Sequence, residues 1–199
     1  LVTTTIRKKR VNSLYFMANL AYQEMLFLDI TGRNDWSSTL PRKNRSFFYP
    51  SVGLSAVLNS MMKMPKWVNL LKVRASWAQV GNDTQPYKTS PYYTTSDFSG
   101  SLVKPGTLYN ADFKPEMSTN WEGGLDFKAF GSRLGLDVTY YYNRTKNQIL
   151  NAPFDPTTGY TKGTINSGCV SNRGVEIILR GTPVKTKDWQ WDMTATWST

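Results

Sequence analysis

Hydrophobic and polar residues alternate along most of this 199-residue chain. In the first such stretch Phe16, Ala18 and Leu20 share one parity, whereas Asn19 has the other. A period of two places successive side chains on opposite faces of a β-strand, so the pattern predicts strands that are apolar on one side. Eight segments follow it, at about residues 13–23, 26–33, 48–58, 71–77, 121–128, 134–143, 175–180 and 189–197.

Charged residues within these segments fall on the polar parity. In the fourth segment, for example, Lys72 and Arg74 alternate with apolar residues that include Val73. The pattern therefore predicts an all-β fold in which each strand has one apolar and one polar face, with the charges on the polar face.

The connections between the segments alternate in length. The links near residues 24–25, 130–133 and 182–188 are short, and the link at 59–69 is of modest length. Those at 35–46, 81–118 and 145–171 are longer and rich in Gly, Pro, Asn and Ser. An up-and-down antiparallel meander places successive connections at opposite ends, so we expect short turns at one end and long loops at the other.

Two architectures share this alternation, a soluble sandwich and a transmembrane barrel. Three features favour the barrel. Strands of about ten residues, tilted by about 45°, match the apolar band of a bilayer. Aromatic residues cluster near strand ends, as membrane interfaces favour: Trp77, Trp121, Tyr140, Tyr142, Trp189 and Trp197. The charges keep to one parity, as lipid contact of the other face requires.

Composition narrows the function classes. No stretch approaches the roughly 18 consecutive apolar residues of a spanning helix. The formal charge is +10, but the basic residues are scattered apart from the run at 7–10, which disfavours a nucleic-acid role. The chain has no histidine, and its one cysteine, Cys169, is expected to be a plain loop residue. Because the chain opens at Leu1 without a leader and stops at Thr199 after a strand-like run, we expect a segment of a longer protein.

Several motifs resemble one family in the family's order, the SusC-like (starch-utilisation type) TonB-dependent outer-membrane transporters of Gram-negative bacteria. They are Arg10-Val11-Asn12-Ser13, Gly32-Arg33-Asn34-Asp35-Trp36-Ser37-Ser38, Phe47-Phe48-Tyr49-Pro50-Ser51-Val52-Gly53, Leu71-Lys72-Val73-Arg74-Ala75-Ser76-Trp77 with Gly81-Asn82, Pro115-Glu116 with Gly124-Leu125-Asp126-Phe127, Asp137-Val138-Thr139-Tyr140-Tyr141, and Asn172-Arg173-Gly174-Val175-Glu176. No single motif is diagnostic, but seven in order are specific.

The resemblance implies a barrel of about 22 strands in the outer membrane, filled by an amino-terminal plug and coupled through TonB to the import of glycans or peptides. A SusD-like surface lipoprotein is implied as the lid. Residues 1–199 would then be a partial barrel domain, an antiparallel meander of about eight strands, without the signal peptide, the plug and the terminal strands. Alone, this segment would not transport.

Aromatic residues of the long connections are the candidate ligand contacts, because sugars and extended peptides bind through ring stacking and hydrogen bonds. The alternative is that they pack the loops together or meet the lid. The candidates are Trp36, Tyr92, Tyr93, Phe98, Tyr109, Phe154 and Tyr160.

Six charged residues of the strands are expected to line the lumen and meet the plug. Mutual ion pairing and a gating role explain this mixed-sign set equally well. The six are Arg33, Lys72, Arg74, Glu122, Asp126 and Arg180.

Catalysis is not expected. Asp112 and Glu116 could be proposed as an acid and base pair, but no other residue supports that role. The glycines form no phosphate loop, and we expect no catalytic residue, metal or cofactor. The remaining alternative is a soluble all-β carbohydrate-binding module with aromatic platforms.

Overall fold

The computed structural model describes residues 6–96, 98 and 100–199. Almost all regular structure in this part of the chain is β. In chain order the strands are β1 (Val11–Tyr22), β2 (Leu26–Ser37), β3 (Ser46–Val57), β4 (Val68–Asn82), β5 (Thr94–Thr95), β6 (Leu102–Val103), β7 (Thr107–Leu108), β8 (Glu116–Ala129), β9 (Leu134–Lys146), β10 (Ile149–Pro153), β11 (Lys162–Asn166), β12 (Cys169–Lys185) and β13 (Gln190–Ser198). One α-helical turn, α1 (Leu58–Met61), and one 3₁₀ turn, Pro156–Thr158, complete the elements described. No helix in these ranges is long and apolar enough to cross a membrane.

The eight long strands form a single sheet in the order β1-β2-β3-β4-β8-β9-β12-β13. Every neighbouring pair is antiparallel. Each long strand therefore pairs with the next long strand along the chain, which confirms the predicted meander of eight strands.

Most strands extend further toward the long connections than the alternation predicted. Strand β8 begins at Glu116 rather than near Trp121, and β12 begins at Cys169, so Cys169 is a strand residue and not a loop residue. Cross-strand pairs such as Cys169↔Lys146 extend the backbone ladder beyond the alternating segments. At its other end β3 is one residue shorter than predicted, because Leu58 already belongs to α1.

The register places the apolar residues of neighbouring strands side by side. One row contains Val52, Trp77, Trp121 and Tyr142, and the rings of Trp77 and Trp121 lie 6.1 Å apart. We call the side that carries this row the apolar face. The opposite side, which carries Arg33, Lys72, Arg74, Glu122, Asp126 and Arg180, is the charged face.

The apolar face is not covered by any other described part of the chain. Leu14, Leu54 and Trp197 on this face are 69%, 51% and 56% exposed. Soluble monomers rarely expose apolar patches larger than a few hundred Å². The packing that a soluble sandwich would require is thus not present in the part of the chain described.

Buried hydrophobic side chains are few and lie mainly near the long connections. Leu40, Phe47 and Phe113 form one small cluster, with Tyr49 and Ile149 packed against it. This cluster anchors loops onto the end of the sheet and does not fill a space between two layers.

The other end of the sheet carries the tight turns and also the 58–67 link with α1, which is longer than the 38–45 connection, so the predicted order of these two lengths is wrong. After β1 the Met25 N–H donates to the Tyr22 carbonyl at 2.9 Å, and Gln23 and Glu24 both have positive φ, at 49° and 54°. Two central residues in this region define a type I′ turn, whose twist matches an antiparallel hairpin. The turn between β8 and β9 likewise has Gly131 and Ser132 at positive φ.

Candidate functional site

The predicted charged residues share one face of the sheet. Lys72 lies opposite Asp126 on β8, and Asp126 lies opposite Asp137 on β9. Glu122 and Arg180 have the same parity through their own cross-strand partners. The register thus brings six sequence-predicted charges onto a common surface, while their contact with a lumen stays a prediction.

Arg74 is the centre of this surface. Its Nη1 donates to Asp126 Oδ2 at 2.8 Å, and its Nη2 donates to Asp137 Oδ1 at 2.9 Å and to Thr139 Oγ1 at 2.6 Å. One guanidinium therefore links strands β4, β8 and β9. Asp137 and Thr139 were not among the six predicted residues, although both have the polar parity of their strand.

The guanidinium of Arg74 lies next to Gly124, its cross-strand partner on β8. A Cβ atom at Gly124 would stand 2.5 Å from Arg74 Nε, whereas one at the neighbouring Gly123 would meet nothing within 4 Å. The absence of a side chain at position 124 is what lets the arginine reach two strands away.

A second ion pair lies nearer the long connections. Arg33 Nε donates to Asp35 Oδ1 at 2.8 Å, and Arg33 Nη2 donates to the Ser13 hydroxyl at 3.0 Å. The Tyr49 hydroxyl donates to Asp35 Oδ2 at 2.6 Å, with its ring 6.0 Å from the guanidinium carbon. A groove of about 450 Å³ runs beside this cluster and is lined in part by Tyr15.

The six predicted charges divide into two groups. Ion pairs within the sheet engage three of them, Arg33, Arg74 and Asp126. Lys72, Glu122 and Arg180 form no salt bridge with any other residue in the described ranges. Lys72 and Glu122 line a hollow of about 220 Å³ together with Asp29. Mutual pairing thus accounts for half of the set, and the other half is open to a further partner.

Long connections lie together at one end of the sheet. They are the first (38–45), the second (83–115) and the third (147–168). Asn44 Nδ2 of the first donates to the Phe113 carbonyl of the second at 2.8 Å. Lys43 Nζ contacts Asp112 Oδ1 at 2.5 Å, and this hydrogen bond holds the pKa of the Asp112 carboxyl below its ordinary value. Asp112 is therefore occupied by Lys43 rather than paired with a second carboxylate.

The second and third connections share a small sheet. Strand β7 of the second pairs in parallel with β11 of the third, which also pairs with β10. Asn166 reinforces the junction: its Oδ1 accepts from the Lys114 N–H and its Nδ2 donates to the Lys114 carbonyl, both at 2.9 Å. Strands β5 and β6 form a separate two-stranded pair within the second connection.

Two of the predicted ligand aromatics meet each other. The rings of Tyr92 and Tyr109 lie 6.0 Å apart, and burial together with the Tyr92 hydroxyl raises the pKa of Tyr109 above its ordinary value. Tyr93 and Phe98 extend into solvent, with Phe98 80% exposed.

Two further aromatic candidates already have partners in the loops. Lys104 Nζ lies 4.0 Å from the centre of the Tyr160 ring, a cation–π distance. Phe154 packs over Gly163, where a Cβ would stand 2.6 Å from the ring. Whether any of these rings also contacts a ligand stays a prediction.

Trp36 does not belong with this group. It was expected in a long connection, but it lies in β2, paired with Asn12 of β1 and Ser46 of β3. The alternation of β2 places it on the apolar face, on the same side as Ile30 and Gly32. The loop assignment is thus wrong, because the ladder continues past the polar Asn34 and Asp35 to Ser37.

A polar cavity at the base of the loops was missed by the sequence analysis. Its volume is about 300 Å³, and its lining residues are Asn82, Asp83, Thr84, Gln85, Lys88, Glu116, Ile149, Asn151 and Thr164. Thr164 is buried and its hydroxyl donates to Asn151 Oδ1 at 3.0 Å. These residues come from β4, β8, β10, β11 and the second connection, so no local sequence pattern marks them as a set.

Metal binding finds no support in the described ranges, where no group of three or more His, Cys, Asp or Glu residues is placed to hold an ion. The amides, hydroxyls and carboxylates of the polar cavity can donate and accept hydrogen bonds. This chemistry suits binding of a polar molecule and provides no recognisable nucleophile with an activating base.

An antiparallel meander with an exposed apolar face, an opposite charged face and its two longest connections at one end defines a wall segment of a membrane β-barrel. The family described as "TonB dependent receptor-like, beta-barrel" matches residues 2–199. The chain belongs to this family, whose members are outer-membrane proteins of Gram-negative bacteria. The expected barrel fold is thereby confirmed.

Similar proteins support the finer SusC-like assignment. The TonB-dependent receptor P26 of Formosa agariphila is 26% identical over 193 residues, which cover 93% of this chain and 20% of that protein. TonB-dependent receptor SusC of Bacteroides thetaiotaomicron is 25% identical, with 94% and 20% covered. The chain thus spans about a fifth of the length of these relatives. The SusC-like resemblance is confirmed.

Solved structures give the same fold. A structure of the RagAB peptide transporter superposes with a TM-score of 0.89 at 26% identity and covers 96% of this chain and 22% of that chain. The siderophore receptor PirA from Pseudomonas aeruginosa superposes with a TM-score of 0.65 at 20% identity, covers 96% of this chain and 34% of that chain, and supports the fold alone.

Proposed function

We propose that this chain is a wall segment of an outer-membrane active transporter that imports oligomeric nutrients, glycans or peptides, in a TonB-dependent manner. The observation that carries the proposal is the exposed apolar face of the eight-stranded sheet, opposite a face that carries the charges of its central rows. Water on both faces would leave the apolar one without a partner, whereas lipid outside and water inside satisfy both.

Strand dimensions fit this placement. A 12-residue strand such as β2 is about 40 Å long and, tilted by about 45°, spans about 28 Å, close to the hydrocarbon thickness of a bilayer. A lysine or arginine facing lipid at the midplane costs about 2 to 4 kcal/mol. The charges of the central rows, among them Lys72, Arg74 and Asp126, all lie on the other side.

The substrate class rests on relatives and on the loop chemistry. RagAB is a peptide transporter by its structural description, and SusC is a TonB-dependent receptor. The polar cavity and the loop aromatics Tyr92, Tyr93 and Phe98 offer hydrogen bonds and ring surfaces to a sugar chain or an extended peptide alike. We therefore propose an oligomer with many hydrogen-bonding groups.

Partners follow from the same assignment. A SusD-like surface lipoprotein would cover the end that carries the long connections. The TonB complex would act through a plug elsewhere in the parent protein, and Lys72, Glu122 and Arg180, which have no salt bridge within the described wall, are the proposed plug contacts. No catalytic step is part of this proposal.

Spin labelling of the full-length protein tests the proposal. Leu54→Cys and Ser55→Cys place labels on opposite faces of β3, in a Cys169→Ser background that removes the single cysteine of this segment. In lipid vesicles we expect collisions with oxygen to dominate at position 54 and collisions with a polar nickel complex to dominate at position 55. A protein that stays monodisperse without detergent, with position 54 shielded from both reagents, would support the soluble binding module instead.

A further inference from the structure

Three basic side chains break the rule that charges avoid the apolar face. They are Arg144 and Lys146 at the loop end of β9 and Arg173 in β12, and all three are exposed. The register places Arg173 opposite Tyr142, Arg144 opposite Ser171, and Lys146 opposite Cys169. Because Tyr142 belongs to the apolar face, the two-residue period puts all three cations on that face.

No carboxylate of the described residues forms a salt bridge with these cations. Every Asp and Glu of the eight long strands has the parity of the charged face, and no salt bridge in the described ranges involves Arg144, Lys146 or Arg173. Arg144 Nε donates to Cys169 Sγ at 2.9 Å, which is a weak contact for a guanidinium. Solvated cations at a strand end are common, but three on adjacent positions of one face repel each other unless an anion joins them.

The three cations lie at and just beyond the aromatic row of the apolar face, toward the long connections. Arg173 lies in the row of Trp121 and Tyr142, the aromatic row expected at the membrane interface. Arg144 and Lys146 lie in the next two rows toward the long connections, each about 7 Å further along the strands. On the other side of the aromatic row, Leu125, Val138 and Ile177 continue the apolar surface without interruption.

We infer that Arg144, Lys146 and Arg173, the basic rim, bind the phosphate groups of an anionic lipid of the outer leaflet, whose acyl chains lie along the apolar face beside them. Guanidinium groups bind phosphate oxygens in pairs, and an ammonium adds a third positive charge. The apolar surface that continues from the rim favours an amphiphile over free phosphate. The inference rests on the proposed function, since it requires the apolar face to contact lipid.

Native mass spectrometry of the full-length protein in non-ionic detergent, titrated with bisphosphorylated lipid A, tests the basic rim. The variant Arg144→Gln/Lys146→Gln/Arg173→Gln should bind the lipid about tenfold or more weakly than the wild type. The matched control Lys63→Gln/Lys66→Gln/Lys187→Gln removes the same charge from exposed positions at the short-turn end and should bind as the wild type does. Arg173→Gln alone should give an intermediate loss.

Competition arms separate the possible ligands. Inorganic pyrophosphate should displace the lipid poorly, and phosphatidylcholine should bind the wild type and the rim variant equally. Equal lipid A affinity of the rim variant and the wild type, or displacement by pyrophosphate at the concentration of the lipid, would overturn the inference. The spin labels at positions 54 and 55 keep the two ideas apart: if position 54 contacts lipid and the rim variant still binds lipid A normally, only the basic rim fails.

Discussion

Arg74 shows how one residue can join three strands. Its guanidinium reaches Asp126 on β8 and Asp137 and Thr139 on β9 because Gly124 leaves the surface between them free. Hydrogen bonds between charged groups are worth more than neutral ones, although the partial exposure of these side chains reduces the gain.

Gly124→Ala should therefore displace the arginine. The added methyl would stand 2.5 Å from Arg74 Nε, so the guanidinium must leave at least part of its hydrogen-bonded position. We expect a loss of roughly 1 kcal/mol in the free energy of unfolding. The measurement is the urea midpoint for the full-length barrel in lipid vesicles.

Two further variants isolate the cause. Gly123→Ala adds the same methyl where no atom lies within 4 Å, and it should leave the midpoint unchanged. In an Arg74→Met background Gly124→Ala should cost little, because the hydrogen bonds are already absent. Additive losses in the double variant would show that Gly124 acts through the backbone and not through Arg74.

An ion pair between Lys43 and Asp112 helps to tie the first long connection to the second. Lys43 lowers the pKa of Asp112 below its ordinary value of 3.8, and Asn44 adds a hydrogen bond. A carboxyl with a lowered pKa contributes fully above its unfolded-state value and loses that contribution as the pH falls through its folded-state value. The ion pair between Lys43 and Asp112 should thus persist at neutral pH and break only in acid.

Hydrogen exchange measures the opening. Corrected for intrinsic rates, exchange at residues 38–45 should stay constant from about pH 7 to about pH 5 and rise below about pH 3.8. Lys43→Met should give the faster exchange already at neutral pH. Lys63→Met, at the opposite end of the sheet, serves as the control, and equal protection in both variants would mean that the ion pair does not hold the connection.

Local patterns predicted the strands well but their ends poorly. Alternation located every long strand, because burial of one face against lipid or protein imposes a period of two. It stopped short at Trp36 and at Cys169, where polar residues interrupt the apolar parity while the backbone ladder continues. Backbone hydrogen bonds do not depend on side-chain polarity, so the pattern of apolar and polar residues does not show where a strand ends.

Candidate sites were predictable only where parity alone decides. Alternation within β4 predicts the face that carries Lys72 and Arg74, and alternation within β8 predicts the face that carries Glu122 and Asp126. The polar cavity is not predictable in this way, because its lining residues come from segments that are distant in sequence, such as Asn82 and Glu116, which pair across β4 and β8, and Asn151 and Thr164, which pair across β10 and β11. Contacts between residues that are distant in sequence, such as Asn166 with Lys114, have no local signature.

At the scale of the whole molecule, the two ends of the sheet differ in kind. The first, second and third connections hold small sheets, ion pairs and a hydrophobic cluster at one end, whereas the other end has tight turns and the 58–67 link with the helical turn α1. In outer-membrane barrels long loops face the outside and short turns face the periplasm. Under the proposed function, this asymmetry predicts that the long connections face the outside of the cell.

Cysteine labelling of intact cells tests that direction. In the Cys169→Ser background of the full-length protein, Ser90→Cys in the second connection should react with a membrane-impermeant maleimide added to whole cells. Lys187→Cys, also exposed and in the turn between β12 and β13, should react only after the outer membrane is permeabilised. Because both positions are exposed, a difference between them reports the side of the membrane rather than local accessibility. Labelling of Lys187→Cys but not Ser90→Cys in whole cells would reverse the orientation, and with it the leaflet assigned to the basic rim.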